Sequence, residues 1–320
     1  MAVPAGTHQV HDAIGVREDL ANIIYDISPM DTPLMSNIGR GSASQPLTEW
    51  QTDALAAASA SNAQIEGDDA NTDTATPTLR FNNYCQIASK VPRVSGTLQA
   101  SDTAGRANEL SYQIAKRGRE LKRDIEMTLA GTQVATAGAG ASARVCAGLA
   151  GWMYTNHISV GANGTVPPLT NGGHPSAAMT MGTNGAITED RLKTAIALCW
   201  PAGGDPPLIL MDDANKQIAS SFTGVATQYR DNPQKGPATI IGAADVYVSD
   251  FGTHSMVASR FVPTDIAYVL DPEFLEVRYL RPIHKEDLAK TGDSDRCMLL
   301  AEFTLCNKEP DAHSLIHATS

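Results

Sequence analysis

TAGRANELSYQIAKRGRELKRDIEMTLA, Thr103 to Ala130, is one long, highly charged segment. It has no proline, and Leu110, Ile114, Gly118, Leu121, Ile125 and Leu129 recur at steps of four, four, three, four and four. That is the helical period, with one narrow apolar stripe. The spacing predicts a helix of about 28 residues, roughly 42 Å long at 1.5 Å per residue. Ordinary globular helices have roughly 11–12 residues. Ser101, Asp102 or Thr103 can cap its start, since each side chain accepts an orphaned N–H. Gly131 and the glycines after it stop it. Lys116–Glu120 and Lys122–Glu126 are spaced to pair at i,i+4, each pair worth roughly 0.2–0.5 kcal/mol. No second helix of similar length is visible. The stripe is therefore expected to lie across a sheet, which makes the chain α+β rather than a bundle.

A strand to meet that stripe is legible near the C-terminus. Over Asp295–Lys308, Cys297, Leu299, Ala301, Phe303 and Leu305 line one face, and Met298, Leu300, Glu302, Thr304 and Cys306 the other. About ten such residues span roughly 33 Å, enough to run beside the helix. Phe274–Pro282 reads as a strand, Ile283–Asp293 as a polar connection and Glu309–Ser320 as a polar tail with His313 and His317. Between helix and strand, Gly131–Gly185 is glycine-rich and aperiodic, with short strands or none and Trp152 and Tyr154 as anchors. A compact α/β region follows at 187–265. It opens on a helix capped by Thr188 that ends near Pro201. Next come a buried strand, Leu208–Met211, and a helix, Ala214–Phe222, capped by Asp212/Asp213. Ala238–Val248, Ser255–Phe261 and Ile266–Leu270 read as strands.

On the N-terminal side, Met1–Ile14 reads as an arm and Gly15–Ile27 as a short helix. Ser28–Ser44 is apolar but broken by Pro29 and Pro33, with Met30, Leu34, Met35 and Ile38 between them. Such a segment suits an anchor laid across its own or a neighbouring subunit. Leu47–Gln51 and Arg80–Val91 read as strands flanking a polar excursion, Thr52–Thr78, whose Asn62–Ala70 is acidic. Ordinary connections rarely exceed about 12–15 residues, so this one implies disorder or contact with a partner.

The 320 residues carry 24 Lys+Arg against 35 Asp+Glu, a formal charge of -11, which disfavours a nucleic-acid binder working by phosphate neutralisation. A surface that faces packed nucleic acid without gripping it remains compatible. Met1–Asp19 lacks the basic start and apolar core of a secretion signal. No apolar run approaches the length of a membrane span. Cys85, Cys146, Cys199, Cys297 and Cys306 are scattered without CxxC spacing, which leaves a zinc site unsupported and points to reduced thiols. Asp212/Asp213 sit where a helix N-terminus wants carboxylates, so capping is preferred to catalysis. Asp68, Asp69 and Asp73 lack EF-hand spacing and read as a solvated acidic face. HExxH, GxSxG and the phosphate-binding glycine motifs are absent. No cofactor, metal or catalytic residue is therefore assigned.

Several segments nevertheless resemble one family. AlaAspValTyrValSerAspPheGlyThr (Ala244–Thr253), ValLeuAspPro (Val269–Pro272), TyrLeuArgPro (Tyr279–Pro282), GluAspLeuAlaLysThrGlyAspSer (Glu286–Ser294) and AlaGluPheThrLeuCysAsnLysGluProAspAlaHis (Ala301–His313) resemble the tailed-bacteriophage major capsid proteins of the Hong Kong 97-type fold. SerProMetAspThrProLeu (Ser28–Leu34) and LeuThrGluTrpGlnThrAsp (Leu47–Asp53) resemble the same family, in the right order. The resemblance implies an N-terminal arm at 1–45 and an extended loop at 46–92. It implies a peripheral domain at 93–186, with the spine helix and a glycine-rich insertion, that is completed by 266–320. An axial domain takes 187–265.

The implied function is a major capsid protein, forming hexamers and pentamers of an icosahedral shell around double-stranded phage DNA. The implied place is the virion capsid, assembled in the host cytoplasm. Portal, a separate scaffolding protein and a decoration protein are the implied partners, with no membrane and no sequence-specific DNA contact. Candidate assembly-interface residues are Pro29, Leu34, Trp50, Ile65, Glu66, Asp68, Asp69, Lys116, Arg119 and Arg123. The basic block Lys116–Arg123 is expected to meet acidic neighbouring loops rather than DNA. Relatives that cross-link join a lysine to an asparagine. No lysine lies between Arg40 and Lys90, so a non-covalent shell is expected. The competing readings are a decoration or tail subunit, which would not need this helix and strand, and a soluble hydrolase, which would need a convergent polar pocket.

Overall fold

The computed structural model describes residues 31–67, 69, 75–101, 103, 108–169, 172–222 and 245–319. The expected arm at 1–14, the short helix at 15–27, Asp73 and the start of the strand expected from Ala238 lie outside these residues. In chain order the elements are α1 (Pro33–Asn37), β1 (Gly39–Ser42), β2 (Leu47–Thr52), β3 (Leu79–Tyr84), β4 (Gln86–Lys90), β5 (Arg93–Ser95), α2 (Gly96–Ala100) and α3 (Glu109–Leu129). Then follow β6 (His157–Ser159), α4 (Glu189–Cys199), β7 (Leu208–Met211), α5 (Asp213–Ser220), β8 (Val246–Ser249), β9 (Gly252–Ala258), β10 (Ile266–Leu270), β11 (Leu275–Asp287), β12 (Ser294–Asn307) and β13 (Ser314–His317).

The long helix is present but shorter than its spacing suggested, at 21 residues. Its cap is Asn108, whose Oδ1 accepts from the Ser111 N–H at 2.9 Å. Ser101 instead closes α2, its hydroxyl donating to the Thr97 carbonyl at 2.7 Å. The carboxylates expected to pair with Lys116 and Lys122 are engaged elsewhere. Glu120 takes Arg117 at 2.5 Å, and Glu126 points into the protein, fully buried. Leu121, Ile125 and Leu129 do form the buried stripe. They share one core with Leu299, Ala301, Phe303 and Leu305 of β12, the strand face read from the alternation.

β12 is the axis of a five-stranded sheet ordered β1-β11-β12-β4, with β5 pairing β12 beyond β4. Two expectations are corrected here. β11 does not end at Pro282 but pairs with β12 as far as Asp287↔Cys297. Register irregularities fall between Tyr279 and His284, where Pro282 cannot donate to the ladder. Arg80–Val91 is not one strand. It breaks at Cys85, whose N–H donates to the Pro46 carbonyl at 2.7 Å. β3 stays with β2, while β4 crosses to β12.

The second sheet has six strands, ordered β6-β13-β10-β7-β9-β8. β7, β10 and β13 are buried at every position. Ile209, Met211, Val269 and Ile316 pack under α4 and α5, and Leu208, Leu210, Tyr268 and Leu315 join the core shared with α3. The polar-tail expectation for Glu309–Ser320 is overturned: β13 lies inside this sheet, antiparallel to β10 and parallel to β6. SerLeuIleHis has too few residues to show a period, and His313 and His317, both fully buried, disguise it as surface. Thr188 and Asp212 cap α4 and α5 as expected. The two sheets meet at the end of α3, where the Tyr268 hydroxyl donates to the Ala130 carbonyl at 2.7 Å.

Among its described residues the 131–185 stretch has one short strand, β6, one turn of 3-10 helix at Leu149–Trp152 and isolated bridges, in keeping with its aperiodicity, but it is closely packed. Cys146, Ala147, Trp152 and Met153 are fully buried. Gly148 lets it turn back on the helix end, since a Cβ there would lie 2.2 Å from the Gly131 carbonyl oxygen. All five cysteines are free and buried.

Candidate assembly interface

The excursion after β2 leaves the body from a rigid root. β2 and β3 pair in register from Leu47↔Tyr84 to Thr52↔Leu79. Trp50 and Phe81 rest against Trp152, with ring centroids 5.3 and 6.0 Å away. The Trp50 indole donates to the Asn307 carbonyl at 2.7 Å, and the Asn83 amide to the Leu305 carbonyl at 2.8 Å. The root is thus tied to β12. Beyond it, Leu55 is 99% exposed and Ile65 76% exposed. Glu66 and Asp69 are exposed beside Ile65, and Asp68 lies outside the described residues.

The outward face of α3 carries Lys116, Arg119 and Arg123, at steps of three and four, and then Met127 after four more. Lys116 and Arg119 are exposed. Arg123 is half-buried, its guanidinium 5.8 Å above the Phe261 ring. Met127 is 65% exposed. On the neighbouring face Asp124 binds Lys90 at 2.6 Å.

Of the other candidates, Pro29 lies outside the described residues. Leu34 and Trp50 are buried within this chain, Leu34 fully, and anchor the arm and the loop root to their own core. Sequence reasoning missed the groups that hold these anchors. The Glu126 carboxylate accepts from the N–H groups of Leu34 at 2.7 Å and Met35 at 2.9 Å. It caps a helix some ninety residues away, and burial pushes its pKa up against those two bonds. Glu302, buried on β12, binds Arg281 at 2.9 Å and also Arg144. These partners come from segments far apart in sequence, so no local pattern announces them. The one available signal was a charged residue at an inward position of the β12 alternation.

A cleft of about 420 Å³ opens at the loop root, among Asp53, Leu55, Leu79, Tyr154, Glu309 and Asp311. Burial, then Asp311 and Glu309, push the Tyr154 phenol up to about 12. The carboxylates serve the local turns: Asp311 accepts from the Thr155 hydroxyl at 2.6 Å, and Glu309 caps the turn at Pro310–Ala312. Among the described residues no three His, Cys, Asp or Glu side chains gather to hold a metal. No described helix is long and apolar enough to cross a membrane.

Residues 3–320 match the family model described as SU10 major capsid protein. The chain belongs to that family. As a member it is a major capsid protein. It is also 28% identical to the major capsid protein of Escherichia phage Phieco32 over 338 aligned positions, covering 96% of this chain and 95% of that one. Two solved structures extend the likeness to the fold. The capsid asymmetric unit of cyanophage A-1(L) matches with a TM-score of 0.69 at 14% identity, covering 97% of this chain and 98% of that one. The capsid of cyanophage P-SCSP1u matches with a TM-score of 0.64 at 11% identity, covering 99% of both. The long helix set against a long C-terminal strand, with a second sheet beside them, is the Hong Kong 97-like capsid fold that the sequence resembles.

Proposed function

We propose that copies of this chain assemble into hexamers and pentamers that close an icosahedral shell around double-stranded phage DNA. The observation that carries this is the loop at 53–78. This polar excursion is exposed at every described residue, Leu55 and Ile65 included. It becomes stable only by lying on another copy, because ordering without burial loses entropy for no gain. In this reading 1–45 is the arm and 46–92 the extended loop. Residues 93–186 and 266–320 form the peripheral domain, and 187–265 the axial domain, whose sheet also takes in β10 and β13. Portal, a separate scaffolding protein and a decoration protein are its proposed partners. The host cytoplasm is the place of assembly. The role is architectural rather than catalytic, and the loop's lack of lysine supports a non-covalent shell.

Electron microscopy of the purified chain tests this. Closed shells are expected from the unaltered protein. Deletion of Ala56–Thr76 is expected to leave a folded chain, because the root is held by Trp50 and Asn83, but to abolish closed shells. Normal, stable shells from the deletion would sink the reading.

A further inference from the structure

Where the two sheets join, the core holds polar atoms that the protein itself does not satisfy. Trp152, Asn307 and His313 are each fully buried. Trp152 Nε1, His313 Nε2 and both side-chain polar atoms of Asn307 have no hydrogen-bond partner among the described residues. Buried polar groups in native proteins are nearly always paired, either within the protein or with ordered water.

The three side chains belong to one place. The chain passes between the sheets twice here, from β10 to β11 through Asp271–Leu275 and from β12 to β13 through Asn307–Ser314. Asn307 lies opposite Leu275 in the β11–β12 ladder. The Lys308 N–H donates to the Phe274 carbonyl at 2.9 Å, and the Asp271 N–H to His313 Nδ1 at 3.1 Å. Trp152 reaches the same place from the segment before β6. Its ring lies 5.3 Å from that of Trp50, whose indole donates to the Asn307 carbonyl at 2.7 Å. Strand alternation puts Asn307 on the side of Leu305, and the extended His313 on the side of Leu315. Leu305, Leu315 and Trp152 share one core.

The donor set selects the ligand. His313 Nδ1 accepts from a backbone N–H, so the neutral ring carries its proton on Nε2, which is a donor. Trp152 adds a second N–H, and Asn307 adds an amide with a donor and an acceptor end. Two N–H groups exclude a metal ion, which needs lone pairs. A halide could accept both, but Asp271, Glu273, Glu309 and Asp311 lie on the two crossings and set a negative field against it. Lys308, the one lysine or arginine there, is spent on Glu276 at 3.5 Å. Water accepts from two N–H groups and donates to the amide oxygen, about three bonds, as is usual for a buried water.

We propose that an ordered water is built into the junction of the two sheets, held by Trp152 Nε1, His313 Nε2 and the Asn307 amide. It ties the Trp152 segment to the end of β12 and the head of β13. The site lies inside one chain, so it stands whether or not copies assemble.

A crystal or electron-microscopy map of the unaltered chain that shows ordered water tests this. A peak within about 3.2 Å of Trp152 Nε1, His313 Nε2 and one amide atom of Asn307 is expected. Direct bonds among the three side chains, with no peak between them, overturn the proposal. A peak that bromide replaces, seen by its anomalous signal in a crystal grown with bromide, overturns it in favour of a halide. Asn307→Leu gives a second readout, because the alternatives differ in sign. Removing an amide that is simply unpaired raises the urea midpoint. Removing one that holds water leaves the Trp152 and His313 N–H groups unmet, so the folding equilibrium constant is expected to fall about tenfold. An unchanged or higher midpoint overturns the proposal. Trp152→Phe separates a shared water from ordinary loss of packing. Combined with Asn307→Leu it is expected to cost less than the two separate losses added, since both act through the same water. Additive losses overturn it.

Discussion

Glu126 shows how one side chain joins the arm to the spine. A buried carboxylate is costly unless its lone pairs are used. Here two are used, on Leu34 and Met35, the second and third residues of α1. Those N–H groups would otherwise be orphaned, because the natural cap position, Thr32, makes no side-chain bond. The helix dipole of so short a segment adds little, so the two charge-assisted bonds carry the attachment. Glu126→Ala is expected to lower stability by about 2 kcal/mol. Amide exchange at Leu34 and Met35 is expected to speed up more than exchange in β12. Glu126→Gln keeps one acceptor and turns a donor toward the other N–H, so its loss is expected to be similar or somewhat smaller. Urea unfolding with residue-resolved hydrogen exchange checks this. Unchanged exchange at the two amides in the Ala variant would show that α1 is held by its side chains alone.

At the scale of elements, legibility followed length and regularity. The α3 stripe and the β12 alternation each run long enough to declare a period, and their mutual packing followed from the match of lengths. α4, β7 and α5 were readable because caps and apolar runs agree. β13 was not readable, because four residues flanked by histidines look like solvent-facing chain until their sheet is known. β11 was cut short at Pro282 for a sound local reason that a register irregularity overrides. The loop tip and the α3 basic row were visible as charged segments, but the pairing of the charges was not, since Arg144, Arg281 and Glu302 meet only in the fold. β13 supplies the sharpest test at this scale. Ile316 is fully buried against the α4 and α5 cluster. Ile316→Ala is expected to destabilise the chain by about 2–4 kcal/mol, the range for truncating a buried aliphatic side chain. The comparison is a similar truncation in the exposed loop, Leu55→Ala, which is expected to move the urea midpoint very little. Equal midpoints for the two variants would place residues 314–317 outside the core.

At the scale of the whole molecule, the C-terminal segment closes the second sheet onto the spine, and it brings buried histidines with it. His313 accepts from the Asp271 N–H at 3.1 Å through Nδ1, and burial pushes its pKa down to about 3. His317 and His174 are shifted in the same direction by burial. An unfolded histidine titrates near 6.5. Between about 6.5 and 3 the unfolded chain therefore holds a proton at His313 that the folded chain does not. Stability is expected to fall as pH drops through that window, by up to about 1.4 kcal/mol per pH unit for this residue. Glu126, Asp212, Asp271 and Glu309 work in the opposite sense. Burial raises their pKa values, so the folded chain takes up their protons first and gains relative stability as pH falls through those raised values. The two sets oppose each other, so His313 is read by difference. Its own contribution to the urea midpoint is expected to drop between pH 7 and about 5. His313→Asn offers an amide oxygen to the Asp271 N–H without a titrating group, so its midpoint is expected to change less over the same interval. An identical slope in both proteins would remove His313 as the source and leave the pH response to the other buried groups.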